Sequence, residues 1–117
     1  MTKDKLRLLI KGEADYQEWV NKNITCFIRR NYAGSWCGYI KVPFPLDGDV
    51  YLDCHGGVTY QVTNDDNTTL GFDCSHSFDI SPYLYLEDVF QTSSEYRVYR
   101  DKEFVISEVN SMVNQVL

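Results

Sequence analysis

The chain has 117 residues, a net charge of −6 and 44% hydrophobic residues, which predicts one folded domain over residues 1–117 and excludes a disordered tail. An acidic domain repels phosphate backbones, so generic nucleic-acid binding is disfavoured. No secretory signal and no apolar run of about 20 residues is visible, so we expect a cytosolic protein that does not enter a membrane.

The first 23 residues have the weakest pattern. Three apolar residues alternate with charged ones, which predicts a short strand through Leu6, Leu8 and Ile10. Residues 13–22 fit either a short helix, which would bury Trp19 and Val20, or a strand.

The middle of the chain predicts a sheet. Alternation of apolar and polar residues indicates strands at 24–29, 36–42, 50–55, 58–63 and 69–74. The first two strands would form a hairpin around a turn at residues 31–35, with Cys26 facing Cys37. A cross-strand disulfide is conceivable there, but two thiols are favoured because the cytosol is reducing.

The C-terminal third predicts a loop and then a helix. Residues 75–97 lack periodicity and read as a long aromatic loop with one helical turn around 86–89. Asp101 suits a helix N-cap, and one apolar stripe follows at Val105, Val109, Met112, Val113 and Val116. We therefore predict an α+β fold, in which an antiparallel sheet of four to six strands packs one face on a C-terminal amphipathic helix.

Two short blocks, residues 53–60 and 71–76, hold both histidines, two cysteines and two aspartates. A metal site there would use His55, Asp73, Cys74 and His76, with Asp53 or Asp79 in support. On a regular strand Asp73 points away from Cys74, so the two cannot ligate one ion. We therefore predict no metal site and no cofactor.

Two other interpretations of these blocks remain open. A small hydrolase or metal-dependent enzyme could use the same cluster, with Cys74 as nucleophile beside His76, or His55 as a base oriented by an aspartate. No motif of a known catalytic loop accompanies these residues. In the structural interpretation both histidines hydrogen-bond to Asp53, Asp73 or backbone and hold the turn at Gly56 and Gly57.

A binding pocket is compatible with the structural interpretation. The predicted ligand-binding residues are His55, Gly56, Gly57, Thr59, Asp73, His76, Trp36, Tyr39 and Arg100. Arg97 or Arg100 would meet a phosphate, while Trp36 and Tyr39 would either stack on a base or belong to the core.

Four blocks of the sequence, at residues 36–43, 53–60, 71–76 and 99–105, occur in an order that resembles a family of small proteins encoded by bacteriophages and prophages. Members carry similar GYV-VP, HGGLTY, GFDCAH and YRD-EYV blocks and end in a helix; the resemblance covers residues 24–117. It implies a non-catalytic accessory protein of the host bacterial cytoplasm that binds and neutralises a host or anti-phage defence protein, or a nucleotide-like signalling ligand. A homo-oligomer is left open.

Overall fold

The computed structural model of this chain describes residues 1–87 and 97–117. Its elements are α1 (Lys3–Lys11), β1 (Tyr16–Asn21), β2 (Ile24–Arg30), β3 (Trp36–Val42), β4 (Tyr60–Thr63), β5 (Thr68–Asp73), α2 (Pro82–Leu86) and α3 (Lys102–Val116). The strands form one antiparallel sheet in the order β1-β2-β3-β5-β4. Helix α3 packs across β3 and β2, which confirms the predicted α+β fold.

The main core lies between α3 and one face of the sheet. Because side chains alternate along each strand, one face of β2, β3 and β5 presents a continuous apolar surface to the helix. Its buried residues include Cys26, Ile28, Trp36, Ile40, Leu70 and Phe72 from the strands and Val105, Val109, Met112 and Val113 from α3. Each large side chain buried here stabilises the fold by about 1.5–3 kcal/mol.

Helix α3 begins as predicted. The Asp101 side chain accepts a hydrogen bond from the Phe104 amide at 2.8 Å, and Glu103 lies in the first turn. A carboxylate at this end is favourable because the first backbone N–H groups have no partner within the helix.

The predicted strand at Leu6, Leu8 and Ile10 is wrong, because these residues belong to α1. The Thr2 hydroxyl caps the helix by accepting from the Lys5 amide at 3.2 Å. Leu6, Leu9 and Ile10 share one side at helical spacing and pack in a second cluster with Ile80 and Tyr99. Leu8 is exposed, so the alternating pattern did not predict its burial.

Residues 16–21 form a strand, the second of the two predicted alternatives. A two-residue turn, Lys22 and Asn23 with φ of 51° and 68°, leads into β2, as suits a hairpin with the twist of its strands. In the next hairpin Cys26 pairs with Ile40, and Cys37 pairs with Arg29. The expected contact between Cys26 and Cys37 is therefore wrong, and all four cysteines are free.

The predicted strand at residues 50–55 is also wrong. Its alternation of burial is real, since Val50, Leu52 and Cys54 pack against the core while Tyr51 is exposed. Its backbone, however, forms hydrogen bonds with side chains and not with a neighbouring strand. The Asp53 amide donates to Gln115 Oε1 at 2.6 Å, and Gln115 Nε2 donates back to the Asp53 carbonyl at 2.8 Å. The segment is thus extended but lies outside the sheet.

Other boundaries moved by a few residues. The fourth strand begins at residue 60 instead of 58, and β5 ends at residue 73 instead of 74. The predicted helical turn around 86–89 corresponds in part to α2, and its last two residues lie outside the described part of the chain. Among the described residues, no helix is long and apolar enough to cross a bilayer.

Candidate functional site

The two histidines of the chain converge on one buried carboxylate, that of Asp79. His55 Nε2 lies 3.0 and 2.9 Å from the two Asp79 oxygens, and His76 Nδ1 lies 2.9 Å from Oδ2. The Arg100 Nε–H donates to Oδ1 at 2.9 Å, and the His76 amide donates to Oδ2 at 3.0 Å. We call this group of His55, His76, Asp79 and Arg100 the histidine corner.

Two tight turns bring the histidines together. In the first, the Gly57 amide donates to the Cys54 carbonyl at 2.9 Å; in the second, the Asp79 amide donates to the His76 carbonyl at 2.9 Å. Gly56 has a φ of +73°, and a Cβ at that position would lie 2.4 Å from the His76 ring. Both the backbone conformation and the close approach of the ring therefore require glycine at position 56.

Helix α3 supplies the third wall of the corner. The Phe104 ring meets the His55 ring edge-on, with centroids 5.3 Å apart, and the Arg100 guanidinium lies 5.1 Å from the Phe104 centroid. The His55 and His76 rings are 5.1 Å apart at 72°. Residues from three separate parts of the chain are thereby held in one orientation.

Asp79 is ionised although its side chain is 0% exposed. Burial by itself raises the pKa of a carboxyl group, but hydrogen bonds from His55, Arg100 and the backbone and ring of His76 outweigh it and lower the pKa of Asp79. A buried carboxylate with several charge-assisted donors keeps its charge and fixes the groups around it.

The second nitrogen of His76 faces another carboxylate. Its Nε2 lies 3.4 Å from Asp73 Oδ1. The Ser75 amide donates to the same oxygen at 3.2 Å, and the Thr59 hydroxyl lies 3.5 Å from Oδ2. The His76 ring is therefore placed between two carboxylates, one on each nitrogen.

The corner gathers part of the predicted ligand-binding set. His55, His76, Gly56 and Arg100 meet there, and Asp73 and Thr59 lie beside it. Sequence reasoning treated Asp79 only as a supporting metal ligand and did not include Phe104. The sequence signal for Asp79 was its position three residues after His76. At that spacing a turn brings the carboxylate to the backbone amide of residue 76.

Asp53 does not take part, although the structural interpretation expected the histidines to hydrogen-bond to it. That expectation is wrong because residues 50–55 are not a strand. Both histidines bond to Asp79 instead, and His76 Nε2 lies 3.4 Å from Asp73 Oδ1.

Trp36 and Tyr39 lie away from the corner. Trp36 is fully buried in the core, with the Arg30 guanidinium 4.3 Å from its ring centroid. Tyr39 lies on the sheet face opposite α3, where its ring stacks on Phe27. The two residues thus point to opposite faces of the sheet, so they do not form one stacking site.

Cys74 lies in the core instead of at the surface beside His76. It is buried among the residues that pack on α3, and burial raises the pKa of its thiol. A nucleophilic cysteine needs a thiolate and access to substrate. The alternation that would place Cys74 and His76 on one face also ends, because β5 stops at Asp73.

A groove of about 430 Å³ adjoins the Gly56–Gly57 turn. It is lined by Asp49, Val50, Tyr51, Gly56, Gly57, Val58, Thr59, Tyr60 and Gln61. Three predicted ligand-binding residues, Gly56, Gly57 and Thr59, therefore line one surface. Among the described lining residues Asp49 is the one with a charged side chain, so the groove does not favour an anionic group.

The sheet face opposite α3, which we call the open face, carries a row of aromatic rings. Phe27 and Tyr39 stack with centroids 4.7 Å apart, Tyr16 lies 6.3 Å from Phe27, and Tyr60 meets Tyr39 edge-on at 5.5 Å. The Tyr39 ring reaches Tyr60 across β5 because residue 71 is glycine, where a Cβ would lie 2.4 Å from that ring.

Comparison of the chain with profiles of protein families, with curated proteins and with solved structures found no match.

Proposed function

We propose that this chain is a non-catalytic binding protein that docks a protein partner on the open face of its sheet. The observation that supports the proposal is the aromatic row from Tyr16 to Tyr60, which runs across the sheet on the side away from α3. In the part of the chain that the structure describes, the extensive helix contacts with the sheet come from α3, on the other side.

The composition of the open face suits a protein interface. Tyr16, Val20, Tyr60 and Val62 are exposed there, and the Arg29 guanidinium lies 5.1 Å from the Tyr39 centroid. These four exposed residues lie on the edge strands β1 and β4, with half-buried Phe27 and buried Tyr39 between them. Apolar side chains exposed on a sheet face are a feature of docking surfaces. Tyrosine and arginine are also the residue types that contribute most to binding energy at interfaces.

A protein partner agrees with the charges better than a nucleotide-like ligand does. The groove beside Gly56 and Gly57 carries Asp49 and no basic side chain among its described lining residues. Arg100, the residue expected to meet a phosphate, has its Nε–H on Asp79. A phosphate would thus meet an acidic groove and an arginine that is already engaged.

The alternative enzymatic function has less support. The cysteine nucleophile that it would use, Cys74, is buried. An aspartate on one ring nitrogen of each histidine fits an oriented base as well as a structural role, so the case against the enzymatic function rests on Cys74.

The resemblance to small phage-encoded proteins supplies the biological setting of the proposal. It suggests that the partner is a host bacterial protein, for instance a defence protein, and that binding takes place in the host cytoplasm. This part rests on the four sequence blocks and not on the geometry of the open face.

The proposal is tested by cross-linking and affinity purification of the tagged chain from bacterial cytosolic extract, with quantitative mass spectrometry. Tyr60→Ala and Val62→Asp alter the open face, and Tyr32→Ala removes a more exposed tyrosine elsewhere. We expect the same partner with the wild-type chain and Tyr32→Ala, and at least a fivefold loss with both open-face variants. Circular dichroism confirms that each variant is folded.

Retention of the partner by both folded open-face variants would contradict the proposal. Sedimentation of the purified chain distinguishes a second copy from another protein. If the wild-type chain is a dimer and Val62→Asp a monomer, the occupant of the open face is another copy of this chain, and the proposal of a heterologous partner fails.

A further inference from the structure

We propose that the histidine corner binds one divalent transition metal ion of the zinc type, through His55 Nε2, His76 Nδ1 and the carboxylate of Asp79. This inference goes beyond the proposed function and does not depend on it. It also replaces the ligand set weighed in the sequence, His55, Asp73, Cys74 and His76, by one in which Cys74 has no part.

The three ligating atoms already lie close together. All three lie within 4.8 Å of one another, and each histidine nitrogen is 2.9 Å from Asp79 Oδ2. An ion bonded tetrahedrally at about 2.0–2.2 Å holds neighbouring ligand atoms about 3.3–3.6 Å apart. Binding therefore requires the histidine nitrogens to move about half an ångström away from Oδ2.

The ligand types suit the ion. Two imidazoles and one carboxylate form a common set for zinc and for other first-row divalent ions. Three protein ligands leave one tetrahedral position for water. The His55 and His76 side chains are 17% and 35% exposed, so the ion has a path from solvent although Asp79 is buried.

The groups around the ligands also match a metal site. Ligating histidines usually donate their second ring N–H to a carboxylate, and ligating carboxylates are themselves hydrogen-bonded. Here Asp73 Oδ1 lies beside His76 Nε2. The Arg100 Nε–H donates to Asp79 Oδ1, and Asp79 Oδ2 faces both histidines. A metal-free role for the corner does not by itself require Asp73 on the far side of the ring.

The second carboxylate beside His76 also fits a bound ion. With an ion on Nδ1, the lone pair there binds metal and the ring N–H lies at Nε2, where Asp73 Oδ1 is 3.4 Å away. For His55 the N–H moves to Nδ1, which frees the lone pair of Nε2 for the ion.

The local charge permits binding. Asp73 and Asp79 carry two negative charges and Arg100 one positive charge, so the corner with neutral histidines is net negative. A divalent cation is therefore attracted to it, and the acidic chain as a whole adds to that attraction.

Titration of the untagged protein with Zn²⁺ and Co²⁺, followed by calorimetry and by Co²⁺ absorption, tests the proposal. The chain has just two histidines, so a signal from imidazole ligands belongs to this corner. We expect a stoichiometry of one, at least tenfold weaker binding in His55→Gln and His76→Gln, and about tenfold weaker binding in Asp73→Asn. Cys54→Ser, which alters a thiol next to His55, serves as the control and should bind within twofold of wild type.

Long-range ¹H–¹⁵N spectra of the wild-type imidazoles identify the metal-bound atoms without any substitution. We expect Zn²⁺ to shift His55 Nε2 and His76 Nδ1, and in the bound state the N–H groups to lie on His55 Nδ1 and His76 Nε2. The proposal is overturned if wild type shows no saturable binding, if other ring nitrogens respond, or if Cys54→Ser abolishes binding. Because these spectra use the wild-type chain, they decide the question even where a variant fails to fold.

Each of the two proposals can be contradicted without the other. Tyr60→Ala should leave Zn²⁺ binding unchanged while reducing partner capture. Loss of metal binding in His76→Gln, with partner capture intact, would separate the corner from the open face.

Discussion

Two carboxylates, the half-buried Glu13 and the buried Asp79, each gather an arginine and several other donors, yet they prepare the protein for different tasks. Glu13 Oε1 lies 3.0 Å from Arg30 Nη2 and accepts from the Tyr99 hydroxyl, and Oε2 accepts from the Lys102 amide at 2.8 Å. We call Glu13, Arg30 and Tyr99 the arginine cluster. It joins the start of β1, the end of β2 and the start of α3.

The difference between the two sites lies in their donors. Burial and the hydrogen bond to Glu13 raise the pKa of Tyr99, and guanidinium keeps its charge at any ordinary pH, so the donors around Glu13 always carry their protons. The donors around Asp79 include two imidazoles, which also have lone pairs. The Arg30 side chain is only 3% exposed, whereas His76 is reachable from solvent.

The comparison teaches that a buried charge network alone does not mark a functional site. The donors around Glu13 keep their protons, so the arginine cluster connects elements. The histidine corner has the same kind of carboxylate, but with ligating nitrogens and access. The following predictions test this distinction, from the largest expected effect to the smallest.

Arg30→Met should have the largest effect on stability. It leaves Glu13 without its cation and removes the guanidinium from the Trp36 ring, and breaking a buried ion pair costs about 3–5 kcal/mol. The free energy of unfolding in urea measures it. Arg29→Met is the matched control, since Arg29 is the next residue and is exposed; we expect a change within about 0.5 kcal/mol. Equal effects of the two substitutions would contradict a connecting role for the arginine cluster.

Asp79→Asn should lower the free energy of unfolding at pH 7 by about 2–3 kcal/mol in the presence of a chelator, because Arg100 loses its buried counterion. The effect should depend on pH. The pKa of Asp79 in the folded chain is below its usual value of 3.8, so the unfolded chain takes up this proton first as the pH falls. Its contribution is complete above about pH 4 and is lost as the pH falls through the folded pKa.

Urea unfolding of wild type and Asp79→Asn between pH 2 and 5 should therefore show a difference that shrinks as the pH falls below about 4. A difference that stays constant down to pH 2 would mean that the charge of Asp79 does not stabilise the corner. Asp73→Asn is a suitable comparison, because Asp73 is partly exposed and its replacement should cost less than about 0.5 kcal/mol.

Gly56→Ala and Gly57→Ala form the finest test. Both residues have positive φ, +73° and +78°, but a Cβ meets the His76 ring only at position 56 and has no atom within 4 Å at position 57. The backbone cost, about 1–2 kcal/mol, is therefore common to both. Gly56→Ala should cost about 1 kcal/mol more and weaken Zn²⁺ binding, whereas Gly57→Ala should leave Zn²⁺ binding unchanged. Thermal unfolding and calorimetry measure the two effects, and identical values for both variants would mean that the His76 contact is unimportant.

Local signals were reliable where a segment's pattern and its hydrogen bonds agree. Strands β2, β3 and β5 alternate and pair, and α3 has both a cap and an apolar stripe. The pattern misled at Leu6–Leu8–Ile10, where a capped helix places Leu6 and Ile10 on its buried side and leaves Leu8 exposed. It misled again at residues 50–55, where Gln61 and Gln115 supply hydrogen bonds that a neighbouring strand would otherwise provide.

The sequence by itself determined the α+β class, the C-terminal helix and the neighbourhood of His55, Gly56 and His76, because these depend on periodicity, caps and turn residues close together in the chain. Only the tertiary structure decided that Asp79 and Arg100 complete the corner, that Cys74 lies in the core and that Trp36 and Tyr39 point to opposite faces. Contacts of that kind form between segments that are far apart in the sequence. Strand register and loop closure decide where those segments lie, and the residues of a single block do not.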